Sequence, residues 1–177
     1  LIKTILQMIN MKNGFKLLFL ILFSSYMNAQ NKIEIGKKAP EITMTKVNGT
    51  SFSLSALKGK LVLIDFWATW CAPCVEEQPQ LKTMYETYSE QMKNNQFEIL
   101  GISLDKNKES WQKAIDRFTI NWIQISDLKF WKSPVAKLYE VDELPFNVII
   151  DGQGTILAKN LHGKELEEFI KKRLTQN

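Results

Sequence analysis

Cys71 and Cys74 are the two cysteines of a 177-residue chain, and they stand two residues apart in Asp65-Phe-Trp-Ala-Thr-Trp-Cys-Ala-Pro-Cys74. The stretch reads as a strand end, a short loop and the opening of a helix. Positions i and i+3 on a first helical turn share one face, so the two sulfurs come within reach of a disulfide. The first of them gains most. At a helix N-terminus, unpaired N–H groups and the macrodipole favour an anion, so the Cys71 thiol should ionise more readily than a free thiol. Cys74 lies one turn deeper and is expected to be the poorer nucleophile until a mixed disulfide forms. The chemistry is thiol–disulfide exchange, with Cys71 attacking and Cys74 resolving. Pro73 fits the first turn, where its missing N–H costs nothing. A zinc half-site is the first competing reading, and it wants four ligands when His162 is the one other His or Cys in the chain. A static disulfide is the second; so short a loop restricts the unfolded chain very little.

Two further residues could serve this chemistry. Asp65 ends a run of Leu61-Val-Leu-Ile. A carboxyl there is expected to be partly desolvated, with a raised pKa, and could accept the Cys74 proton during resolution. The alternative is an Asp at a strand end facing water. Pro145 stands in Glu143-Leu-Pro-Phe-Asn, just before a strand. A cis bond there would turn the Leu144 backbone toward the disulfide, although cis is the minority state for X–Pro bonds.

The elements around these residues follow from patterning. Ile42, Met44 and Phe52 flank Asn48-Gly49, which predicts a hairpin, followed by a helical turn over 53–57. The nearly continuous apolar run 61–66 suits a central, parallel strand buried on both faces. A helix is predicted over about 73–94, a second buried strand over 97–103, and an amphipathic helix over 108–118. A short strand at 122–125 precedes a helix begun by Ser133-Pro134. Strands at 146–150 and 155–161 and a helix over 164–174 complete the chain. Helices alternating with buried strands make this α/β, with a mixed central sheet flanked by helices. Trp111, Trp122 and Trp131 read as core or insert packing, His162 as a surface residue.

Composition agrees with one globular domain: 45% hydrophobic and 24% charged residues. The formal charge is +4, from 23 basic and 19 acidic residues. Residues 1–29 hold Lys3, Lys12 and Lys16 and no acid, which leaves 20 against 19, or +1. So balanced a remainder has no overall electrostatic reason to bind nucleic acid. Residues 11–29 run from a basic start through Leu17-Leu-Phe-Leu-Ile-Leu-Phe23 to a small-residue end at Ala29. That is the pattern of a secretory signal peptide, and the apolar run is far shorter than the roughly 20 residues of a membrane span. Residues 1–29 are therefore expected to be an upstream extension and signal peptide, and 31–177 the folded domain. The expected location is the periplasm or cell envelope, with tethering by an uncleaved segment as the alternative.

At Phe66-Trp-Ala-Thr-Trp-Cys-Ala-Pro-Cys74 the chain resembles the thioredoxin superfamily. Gly36-Lys-Lys-Ala-Pro40, Cys74-Val-Glu-Glu-Gln-Pro79 and Ser133-Pro-Val-Ala-Lys-Leu-Tyr139 narrow the resemblance to exported thiol:disulfide interchange proteins of the TlpA/ResA-like kind found in Bacteroidetes-type bacteria. It implies a thioredoxin-like fold of four or five strands, with an N-terminal β-hairpin and an inserted β-α element. Cys71 and Cys74 match the redox pair, Asp65 the buried acid, Pro79 the proline that kinks the active-site helix, and Pro145 the cis-proline facing the disulfide. Glu77 matches a glutamate common after the pair. Trp70, Ala72, Pro73, Leu144 and Phe146 are the implied substrate-binding rim. Phe146 departs from the usual Thr or Ser after the cis-proline. Ala72-Pro73 lacks the glutamate that some cytochrome-maturation members place between the cysteines, which weakens an assignment to cytochrome c maturation.

What the resemblance implies is a protein-disulfide oxidoreductase acting as a reductant of envelope proteins. It would need no cofactor beyond its own redox-active disulfide, no metal and no nucleic acid. Its partners would be protein thiols and disulfides and a membrane-embedded thiol reductant as electron donor. A peroxiredoxin-like thiol peroxidase is the alternative. That reading wants a Pro and Thr set before the attacking cysteine and an activating Arg. Thr69 is present, no Pro stands just before it, and the arginines are Arg117 and Arg173. A metal- or partner-binding module with incidental thiols ranks last.

Overall fold

The computed structural model describes residues 33–175. The signal-peptide reading of 11–29 lies outside them. Seven strands form one sheet: β1 (Thr43–Lys46), β2 (Ser51–Ser53), β3 (Leu61–Trp67), β4 (Phe97–Ser103), β5 (Ile123–Ser126), β6 (Phe146–Ile150) and β7 (Ile156–Lys159). Their spatial order is β2-β1-β5-β4-β3-β6-β7. β3, β4 and β5 run parallel; every other pairing is antiparallel. The helices are α1 (Ala72–Thr87), α2 (Ser89–Lys93), α3 (Lys108–Phe118), α4 (Pro134–Leu138) and α5 (Gly163–Thr175), with 3-10 turns at Leu54–Leu57 and Phe130–Lys132.

β3 occupies the centre, and all seven of its residues are buried. Its Leu, Val, Ile and Phe side chains leave water on both faces, which is why the run is continuous rather than alternating. The N-terminal hairpin extends the same sheet: β1 pairs with β5 through Thr45 opposite Ser126 and Lys46 opposite Ile125. The Tyr139 hydroxyl, 99 residues on, donates to the Pro40 carbonyl at 2.6 Å and ties the approach to the hairpin to the end of α4. β5, the Phe130–Lys132 turn and α4 follow one another between β4 and β6, and they are the β-α segment that the resemblance reads as an insert.

One boundary differs from the sequence expectation. The helix expected over 73–94 breaks at Tyr88, whose φ of −101° and ψ of 23° leave the helical region. The Thr83 and Thr87 hydroxyls donate back to the carbonyls of Pro79 and Thr83, at 3.0 and 2.8 Å. Such back-bonding bends helices. The Tyr88 ring meets Phe97 edge-on, with centroids 5.9 Å apart, and this packing holds the break against β4.

Candidate active site

Cys71 is the N-cap of α1, with extended backbone (φ −88°, ψ 101°). The Cys74 N–H donates to the Cys71 sulfur at 3.2 Å. The two are joined as a disulfide with their Cα atoms 5.3 Å apart, inside the range that needs no backbone rearrangement. Cys71 is 6% exposed and Cys74 1%. Both residues are buried, Cys71 the less so, and its sulfur is the one that a backbone N–H addresses. Pro73 lies in the first turn. Pro79 sits inside α1 and removes one rung of its hydrogen-bond ladder. Just before it, the buried Gln78 side chain donates to the Cys74 carbonyl at 3.3 Å.

Asp65 is buried. It lies opposite Gly101 of β4 and Asn147 of β6, near the end of β3 that feeds the cysteine loop. Burial, and secondly the negative charge of Glu77, push its pKa from 3.8 up to about 7. A carboxyl titrating there can take up and release a proton at neutral pH. Glu77, which sequence reasoning left without a role, therefore acts on Asp65 through its charge. His162 Nδ1 lies 2.9 Å from the Glu77 carboxylate and its Nε2 lies 3.0 Å from Asn160 Oδ1. His162 is a partly buried partner of α1 rather than a free surface residue; the three-residue connection from β7 to α5 brings it there.

The Leu144–Pro145 peptide bond is cis. Pro145 leads directly into β6, whose first residue Phe146 lies opposite Phe66 in register. Their rings pack 6.0 Å apart, and the Phe66 ring also meets Tyr139 at 5.3 Å. Phe146 is thus half-buried against the end of β3. Trp70, by contrast, is 45% exposed. Trp67 is fully buried and donates its indole N–H to Gln124 Oε1 at 2.9 Å. Of the tryptophans read as packing, Trp111 and Trp122 are buried, whereas Trp131 is 40% exposed.

A polar network missed in the sequence holds the loop before Cys71. Asp105 accepts the Thr69 hydroxyl at 2.6 Å and the Thr69 N–H at 3.2 Å. Its other donor is the Ser103 hydroxyl at 2.7 Å, and the Ser126 hydroxyl donates to the Ser103 carbonyl at 2.7 Å. These residues lie at the ends of β4, which pairs with β3, and of β5, which pairs with β4. The signal was present: Ser103 and Asp105 are polar residues closing a buried parallel strand, where functional loops of α/β sheets gather. The network commits the Thr69 hydroxyl that a peroxidase reading would use. Arg117 and Arg173 each lie over an aromatic ring of their own helix, 5.2 Å from Phe118 and 5.1 Å from Phe169. Among the described residues, no group of three or more His, Cys, Asp or Glu side chains gathers where a metal could sit.

The AhpC/TSA family model matches residues 35–159. A thiol-disulfide oxidoreductase ResA from Bacillus cereus is 35% identical over 162 residues, covering 85% of each chain. The chain belongs to the AhpC/TSA family, among its ResA-like thiol-disulfide oxidoreductases. Solved structures agree. The C-terminal domain of a Bacteroides thetaiotaomicron protein described as a thiol-disulfide oxidoreductase is 37% identical, with a TM-score of 0.75 over 81% of this chain and 98% of that one. A thiol-disulfide oxidoreductase from Bacteroides fragilis is 36% identical, with a TM-score of 0.72 over 77% of this chain and 98% of that one. This ResA-like chain is an oxidoreductase of protein thiols, and the comparisons favour that reading over a peroxiredoxin.

Proposed function

We propose that the protein is exported and reduces disulfides of selected cell-envelope proteins, with residues 31–177 as the redox domain and 1–29 as its leader. The observation that carries the reading is the Cys74 N–H held 3.2 Å from the Cys71 sulfur at the start of α1. In the reduced protein that N–H and the helix end stabilise a Cys71 thiolate. The thiolate attacks one sulfur of the partner's disulfide. A Cys71–partner bond forms, and the partner's other sulfur leaves as a thiolate and takes a proton from water. Cys74 then gives its proton to the Asp65 carboxylate and attacks the Cys71 sulfur. The Cys71–Cys74 disulfide forms and the second partner thiolate leaves. Two electrons pass to the partner, and this protein's dithiol is oxidised.

The rim does the binding. Trp70, Ala72 and Pro73 lie on the cysteine side, and Leu144, Pro145 and Phe146 form the opposing edge. In this reading the Leu144 backbone, next to the cis bond, pairs with an extended substrate segment. Renewed turnover needs a dithiol donor, and the reading assigns it to a membrane-embedded thiol reductant. Ala72-Pro73, without a glutamate between the cysteines, weakens an assignment to cytochrome c maturation. The test is trapping. Cys74→Ser should accumulate mixed disulfides with envelope proteins through Cys71, while Cys71→Ser should form none. Adducts on Cys74 in the Cys71→Ser protein would overturn the roles. Rapid peroxide consumption without insulin reduction would overturn the reaction.

A further inference from the structure

The exposed large hydrophobics among the described residues are Ile35, Trp70 and Trp131, and two of these three share one patch beside Cys71. Trp70 stands one residue before the attacking sulfur. Its ring lies 4.9 Å from Phe130 and 5.8 Å from Trp131, and Phe130 and Trp131 are 6.0 Å apart. The three rings form a continuous aromatic platform, one from the cysteine loop and two from the insert. Large exposed apolar patches on soluble domains mark interaction sites.

The platform is held rather than accidental. Leu128 and Phe130 both have φ of 57°, a left-handed backbone that side-chain-bearing residues rarely adopt. Asp127 fixes the turn, accepting the Lys129 N–H at 3.0 Å and the Ser133 hydroxyl at 2.8 Å. The Leu128 N–H donates to the Ser126 hydroxyl oxygen, and Ser126 leads through Ser103 and Asp105 to Thr69. One hydrogen-bonded chain thus fixes both parts of the platform.

Its exposed, unpaired charge is positive. Lys106 Nζ sits 4.4 Å from the Phe130 ring centroid, and Lys129 and Lys132 bracket the two insert rings. All three lysines are exposed, and none has an ion-pair partner among the described residues. The nearby acids are committed: Asp105 and Asp127 to the hydrogen bonds above, Glu109 to Lys113 at 2.7 Å. Exposed Asp142 and Glu143 lie on the loop into β6, which flanks β3 on the side away from β4 and β5.

We propose that Trp70, Phe130 and Trp131, with Lys106, Lys129 and Lys132, form the docking platform for substrate polypeptide and select a disulfide-bearing segment in which an acidic residue neighbours an aromatic one. The inference rests on the exchange reaction proposed above and names its substrate class. Any disulfide that reaches Cys71 brings its flanking residues across Trp70. An aromatic side chain there buries against the rings, and an adjacent carboxylate meets the lysine ammoniums.

The test measures exchange rates of the reduced protein with three probes: hydroxyethyl disulfide, a disulfide-linked peptide carrying Asp-Phe beside its cysteine, and one carrying Lys-Ala. The acidic–aromatic peptide should react about tenfold faster than the basic one, the scale that electrostatic steering supplies. Lys106→Glu/Lys129→Glu/Lys132→Glu should abolish or invert that ratio, and Trp131→Ala should lower it several-fold, with circular dichroism confirming the fold of each. Equal peptide rates in the parent protein, or a ratio that survives the triple variant, would overturn the platform while normal reaction with hydroxyethyl disulfide leaves the exchange reading intact. No reaction with any probe would overturn both. Concentration-dependent self-association lost on Trp131→Ala would make the patch a contact between copies of this chain and overturn the proposal.

Discussion

Asp65 is an acid placed where its ionised form is costly. Burial and the charge of Glu77 raise its pKa from 3.8 to about 7. Between those values the folded protein holds the proton and the unfolded chain has released it. The folded state therefore binds more protons in that window, and stability falls as pH rises from about 4 through about 7. Above the folded value the penalty is complete, at most on the order of 4 kcal/mol. Asp65→Asn should accordingly be more stable than the parent protein at pH 8, by a few kcal/mol, with the gap closing toward pH 4; urea unfolding across that range measures it. A gap independent of pH would mean that Asp65 is ionised in both states. The same substitution removes the proposed acceptor for the Cys74 proton. The sequence left two readings of this residue, buried or facing water at a strand end, and the structure buries it. Its coupling to Glu77 was not legible, since that depends on α1 folding back toward the sheet. The His162 contact was hidden for the same reason: 85 residues separate it from Glu77.

At the level of elements, β4 and β5 carry a device that only pairing reveals. Gly101 lies opposite Gln124 in register. A Cβ at Gly101 would collide with the Gln124 side-chain amide, so the glycine makes room for the group that accepts the Trp67 indole N–H. Gly101→Ala should displace Gln124 and leave that buried N–H without its acceptor, at a cost of about 1–3 kcal/mol for the lost bond. The forced repacking adds a similar amount. Urea unfolding and Trp67 fluorescence report the two effects, and a neutral result would mean that Gln124 has a second accommodating rotamer. Strand and helix types were readable from periodicity, and β4, β6 and α3 fall where the patterning places them. The break at Tyr88 was not readable, because α1 and α2 share an uninterrupted helical pattern and the Thr83 and Thr87 back-bonds are a matter of rotamer. Trp131 misled for a related reason: an aromatic residue in an insert normally packs inward, and here a left-handed Phe130 turns the segment toward the cysteine loop.

Across the whole molecule, the sheet delivers three separate segments to one end of β3. The cysteine loop leaves β3 directly, the Ser103–Asp105 closure leaves β4, and cis-Pro145 enters β6 from the same end. Parallel β3 and β4 and antiparallel β6 make this convergence automatic, since two strands end where the third begins. The α/β class and the reactive pair were legible because each is local. The seven-strand order was less so, because the β1–β5 pairing joins segments some 80 residues apart. The convergence gives the two sulfurs unequal surroundings: both residues are buried, but Cys71 is 6% exposed at the helix end with a backbone N–H on its sulfur, and Cys74 is 1% exposed one turn deeper. That inequality is the basis of the mechanism. Brief alkylation of the fully reduced protein with iodoacetamide at pH 7, followed by peptide mass mapping, measures it directly. Cys71 should be labelled at least about tenfold faster than Cys74, as thiolate character and access both require. Equal labelling, or labelling of Cys74 first, would contradict the account.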